Sequence, residues 1–73
     1  MKLSEMKSGQ SGRVLTVGGK ESVKKRLLCF GITDGVKITL IRRAPLGGPL
    51  EIKVRGFYLA FRQSIADKIS VII

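Results

Sequence analysis

The sequence predicts a mainly β protein, a small barrel of about five strands with one short α-helix. Three observations carry that prediction: the breaker-rich stretch Arg42-Arg43-Ala44-Pro45-Leu46-Gly47-Gly48-Pro49-Leu50, the alternation of apolar and polar residues on both sides of it, and a single segment where the period lengthens to that of a helix. Before the breakers, Val36, Ile38 and Leu40 share one parity; after them, Leu50, Ile52 and Val54 share one while Glu51, Lys53 and Arg55 take the other. A period of two marks half-buried strands. Pro45 fixes its own φ and pushes Ala44 toward extended geometry, and Pro49 does the same to Gly48, so the stretch reads as the turn of one long β-hairpin.

The remaining elements follow in order. Leu3 and Met6 are three apart with polar residues between them, which suits a short helical turn that Gly9 and Gly12 end. Arg13 to Val17 alternates and is rich in β-branched residues, giving a first strand stopped by Gly18-Gly19. From Glu21 to Phe30 the period changes: Val23, Leu27 and Phe30 fall at i, i+4 and i+7, one face of a helix, with Lys24, Lys25 and Arg26 elsewhere on the wheel. Ser22 is the expected N-cap and Gly31 the expected C′ residue. Thr33-Asp34-Gly35 is a turn signal leading into the hairpin, and Gly56 breaks the chain again. Phe57, Leu59 and Phe61 then share an inward parity in a third hairpin strand, with Tyr58 pointing away; Gln63 to Asp67 suits a helical turn, and Ile69, Val71 and Ile73 form the last strand. Strands this short cover a core by closing on themselves, which also removes exposed edges. A small SH3-like barrel spanning residues 1–73 as a single domain is the predicted architecture.

A 73-residue chain removes only about 60% of its unfolded surface from water, too little to frame a large catalytic cleft. Fourteen Lys and Arg against five acids give a net charge of +9, which predicts attraction to an anionic partner. Cys29 is the only cysteine, so no internal disulfide is available; beside Leu28 and Phe30 it reads as a small core residue. No apolar run approaches the roughly 20 residues of a membrane span, and the first residues lack the apolar stretch of a signal peptide. The cytoplasm is the expected location.

Histidine is absent, which removes the ordinary general base near neutral pH, any Ser-His or Cys-His pair and any imidazole metal ligand. An enzyme is therefore not expected. The acids Glu5, Glu21, Asp34, Glu51 and Asp67 are dispersed, without the spacing of a metal loop, and no cofactor or metal site is predicted. Gly47-Gly48 lies between strands and not ahead of a helix, so it reads as a hairpin tip and not a phosphate cradle. Lys24, Lys25 and Arg26 add to Lys20, Lys37, Arg42, Arg43, Lys53 and Arg55, enough charge for a binding face. Nucleic-acid modules interleave such charge with exposed aromatics, and only Tyr58 is available off the core. A small basic barrel that binds nucleic acid nonspecifically is thus the weaker of two readings.

The other reading comes from a resemblance. Arg26-Leu27-Leu28-Cys29-Phe30-Gly31-Ile32-Thr33-Asp34-Gly35, the Arg42 to Pro49 turn with its Ala-Pro-Leu-Gly, and the late Leu59-Ala60-Phe61-Arg62 together resemble the FeoA family of the bacterial ferrous-iron transport system, in order and spacing over nearly the whole chain. Asp34 stands where the family usually has proline and Phe61 where it usually has leucine. The resemblance implies an SH3-like barrel that serves as a cytosolic accessory to FeoB, the membrane GTPase and iron permease, with membrane association only through that partner and any link to transition-metal ions running through it.

For the partner contact, the residues offer two candidates. With Val23, Leu27 and Phe30 inward, Leu28 lies about 100° around the helix from Leu27, beside Lys24 and Lys25, either as an exposed apolar anchor among cations including Arg26 or as an extension of the buried stripe. Leu46, projected from the stiffened Pro45 to Pro49 turn, is the second, either as a contact or as the tip of a plain connector.

Overall fold

The computed structural model describes residues 1–73 and has the expected mainly β architecture. A 3-10 turn over Leu3–Glu5 precedes β1 (Ser11–Val17), α1 (Glu21–Cys29), β2 (Lys37–Arg43), β3 (Leu50–Val54), β4 (Phe57–Phe61), the single-turn α2 (Gln63–Ala66) and β5 (Ile69–Ile72). The five strands make one antiparallel sheet in the order β4-β3-β2-β1-β5. β1 starts earlier than its alternation suggests, because Ser11 and Gly12 already pair with Thr39 and Ile38 of β2.

The pleat sorts the side chains as the parity requires. Val14, Ile38, Leu40, Leu50, Ile52, Val54, Phe61, Ile69 and Val71 are all buried, one face of every strand. Leu3 and Met6 from the first turn, Ala66 from α2, and Leu27 and Ile32 at the end of α1 complete a core of 14 residues. A bulge between Leu40 and Arg42 resets the register of β2 against β3. Arg42 then faces Glu51, with 3.6 Å between them, while Arg43 falls opposite the buried Leu50. The Arg43 guanidinium donates to the carbonyls of Ser4 and Met6, and the Ser4 hydroxyl donates to the Asp67 carboxylate. Arg43 therefore fastens the amino-terminal turn to the barrel instead of joining a binding face.

The two edges of the sheet differ. The outer edge of β5 is covered by the first residues: Val71 N–H donates to Met1 O at 2.7 Å, the amino terminus donates to Val71 O at 3.1 Å, and Lys2 bridges Ser70. β4 has no strand on its far side. It follows β3 through the two-residue turn Arg55-Gly56, both with positive φ (51° and 82°), the type I′ geometry that matches strand twist. Phe57, expected inward with Leu59 and Phe61, is 66% exposed, and Leu59 is only partly buried. The reason is β4's place at the edge, where no further layer covers the start of the strand.

α1 touches the core through its carboxyl end. Ile32 N–H donates to Leu27 O (3.0 Å) and Gly31 N–H to Leu28 O (2.9 Å), a Schellman turn that buries the Leu27 and Ile32 side chains. Gly31 is the C′ residue, at φ 85°. Phe30, expected on the inward face, is 46% exposed: the backbone leaves helical geometry there (φ −86°, ψ 1°), and Ile32 takes the inward place after the reversal. At the other end Lys20, not Ser22, is the N-cap, with no side-chain cap bond, and Ser22 lies inside the first turn. No helix is long and apolar enough to cross a membrane.

Gly31→Ala tests the helix end. A Cβ there would have to adopt positive φ and would meet Arg55 Cδ at 2.9 Å. The left-handed conformation alone costs a non-glycine residue about 1–2 kcal/mol, and each kcal/mol lowers Tm by roughly 4–8 °C in a domain of this size. Differential scanning calorimetry should show a drop of several degrees; an unchanged Tm would mean that this turn does not hold α1.

Candidate partner-binding site

α1 and the β4–α2 corner enclose an apolar groove. Val23, Leu27 and Phe30 face it from the helix, and Leu59, Phe61 and Ile65 face it from the barrel. Its volume is about 480 Å³, and Arg26 and Arg62 are its charged members. The groove exists because α1 buries only Leu27 fully, leaving Val23 partly covered and Phe30 half in water. Arginine suits such a rim, because its stem packs on apolar surface while its guanidinium stays wet and able to grip a carboxylate.

The opposite side of α1 carries most of the contact expected from the sequence. Leu28 is 60% exposed and shares a shallow surface with Lys24, Lys25, Thr16, Val17 and Asp34. Leu28 therefore does not extend the buried stripe. Lys24 lies 3.9 Å from Glu21 one turn earlier, a pair whose exposed side chains interact only modestly. The basic triplet is thus divided by the helix, with Lys24 and Lys25 beside Leu28 and Arg26 in the groove. Cys29 is exposed, contrary to the expected core role, because two residues rotate it about 200° from inward-facing Leu27.

Leu46 stands apart. Its side chain is fully exposed at the hairpin tip, and it is held at φ 59° ahead of Gly47 at φ 72°. A leucine in the left-handed region costs about 1 kcal/mol or more and here covers no core. No residue of this tip lines the groove or the Leu28 surface. The structure therefore separates the two contact candidates, and it adds Phe30, Arg62 and Ile65, which sequence reasoning missed. The available signal was the position of Phe30 directly before Gly31, since a helix that ends there cannot carry its stripe further.

No three of the Cys, Asp and Glu side chains come together, and Cys29 is free and exposed. Titration calorimetry of the untagged chain with ferrous or zinc ions should show no stoichiometric site tighter than micromolar; such a site would overturn this reading. Cys29 should in turn react with a thiol reagent in the native state, with no denaturant needed.

The comparisons with known proteins agree with this fold. A structure of FeoA protein from Chlorobium tepidum superposes with a TM-score of 0.92 at 39% identity, over 97% of this chain and 68% of that one. The zinc complex of FeoA from Stenotrophomonas maltophilia, described as a procaryotic SH3 domain protein, does so with a TM-score of 0.85 at 28% identity, over 97% and 88%. A fusion of Fe(2+) transport protein A with the Fe(2+) transporter FeoB from Porphyromonas gingivalis is 32% identical over 71 residues. That match takes in 97% of this chain but 8% of the fusion protein's length. The expected SH3-like barrel is therefore the fold of these neighbours too, and the model of the FeoA domain matches from residue 1 to residue 73: the chain belongs to the FeoA family, associated with ferrous iron transport.

Proposed function

We propose that this chain is a cytosolic, non-enzymatic accessory of ferrous-iron uptake that binds the cytosolic region of FeoB and modulates it. The observation that carries the reading is the Porphyromonas gingivalis fusion, in which a homologous unit shares one polypeptide with the transporter. Fusion makes an encounter intramolecular and raises effective concentration, an arrangement that suits two parts acting together. The suggestion that the Stenotrophomonas maltophilia relative acts as a ferrous iron transport activating factor points the same way. On this chain, the carboxyl half of α1 supplies the contact: the groove takes apolar side chains of the partner between Arg26 and Arg62, and Leu28 with Lys24 and Lys25 widens the footprint. Leu46 is a second, separate anchor. The positive charge speeds approach, while the desolvated apolar groups hold the complex.

Binding to the soluble region of FeoB, measured by interferometry, tests this. Leu28 is 60% exposed, so Leu28→Gln should keep the parent melting temperature, whereas Phe30→Ser, removing a ring that is 46% exposed, should lower it while leaving the chain folded. Each should raise the dissociation rate by about 5- to 30-fold, the effect of losing an apolar anchor worth about 1–2 kcal/mol. Reversing Lys24 and Lys25 should instead slow association, and added salt should erase the difference. Leu46→Asn should not destabilise the fold, and if it weakens binding, the hairpin tip is part of the interface. If Phe30→Ser and Leu28→Gln both bind as the parent does, α1 is not the contact.

A further inference from the structure

The outer face of the sheet carries a patch that the α1 contact does not use. Arg13 pairs in register with Lys37 of β2 on one side and with Ile72 of β5 on the other, so the three side chains form one row across three strands. Leu15, two residues beyond Arg13, is the residue bulged out of the β1–β5 register, and it is 51% exposed; Ile72 is 56% exposed. In the neighbouring row Thr39 pairs with Lys53, and Lys37, Thr39, Lys53 and Arg55 line one shallow surface. None of these cations is ion-paired, since the molecule's two pairs are Lys24–Glu21 and Arg42–Glu51. Arg13 donates to Gly35 O at 3.0 Å, which leaves its charge uncompensated.

We infer that this face docks directly on an anionic lipid surface, with Arg13, Lys37, Lys53 and Arg55 meeting the headgroups and Leu15 and Ile72 entering the interfacial layer. The exposed aliphatic groups decide between anionic partners. Beside a cationic row they match the boundary of headgroups and acyl chains, whereas nucleic acid gains nothing from them. Base stacking would need open aromatic faces, and the only ring on this side is Tyr58, already under Lys53 at 5.6 Å from its centroid. The family resemblance implies membrane association only through the partner; the strand register adds a contact of the chain's own. It does not rest on FeoB binding, and the test contains no FeoB.

Flotation with phosphatidylcholine vesicles, with and without phosphatidylserine, measures it. Each basic residue near an anionic leaflet contributes about fivefold to partitioning, so the chain should bind the anionic vesicles and ignore the neutral ones. Lys37→Gln with Lys53→Gln should lose about 25-fold, and the reversals Lys37→Glu with Lys53→Glu, which change twice the charge, several hundred-fold, with melting curves unchanged. Reversing Lys7 and Lys20, on loops outside these rows, should change binding only a few-fold. Leu15→Gln should weaken binding even at low salt, where charge alone is strongest. Four results would overturn the proposal: no selectivity for anionic vesicles, equal losses from both charge-reversed pairs, no effect of Leu15→Gln, or tighter binding of single-stranded DNA than of vesicles through the same residues at physiological salt.

Discussion

Fourteen buried apolar side chains make the core, and the strands of the barrel supply most of them. One face of five short strands supplies nine, the amino-terminal turn and α2 close the ends, and α1 is left with Leu27 and the Ile32 that follows it. A small domain cannot bury more, because its surface is large relative to its volume. The helix consequently stands on a single turn of contact. The groove beside β4 is the direct consequence: Val23 and Leu59 pack only partly against the core, Phe30 stays outside it, and Leu59 lies on an edge strand. Apolar patches left open in this way are typical of interaction surfaces and ligand grooves.

The same economy sorts the charge. Of the basic residues, Arg43 is spent internally on the carbonyls of Ser4 and Met6, and Lys24 and Arg42 are partly offset by Glu21 and Glu51. The pleat distributes others, so that Arg13, Lys37 and Lys53 emerge from the sheet exterior while Arg26 and Arg62 rim the groove. One surface is cationic around an apolar cleft, the other cationic beside scattered aliphatics. Under the proposed function the two surfaces would serve different tasks, one gripping a protein segment and the other holding the domain near the bilayer.

Membership of the FeoA family fixes the fold and the association with ferrous iron transport, but the work of a given member depends on its own side chains. This chain has no histidine, and no three of its Cys, Asp and Glu side chains come together. Its two open surfaces, the groove beside α1 and the cationic sheet exterior, are where its own side chains set it apart.

The period-two parity from Val36 to Val54 and the Ala-Pro-Leu-Gly turn determined the hairpin and its inward residues, because in a pleated strand the backbone itself assigns each side chain to a face. Gly31 likewise marked the helix end, since few residues tolerate positive φ there. Leu28 was legible as a neighbour of Lys24 and Lys25, because a helix places i, i+3 and i+4 together. Whether Leu28 lay in water was decided only when the barrel's core was complete without it. Phe30, Phe57 and Cys29 show the limit most clearly: a periodic pattern says which residues share a face, but not whether another element covers that face. Arg43 and the sheet-exterior row depended on a bulge and on strand pairing, relations between segments far apart in the chain, and those only the tertiary structure could decide.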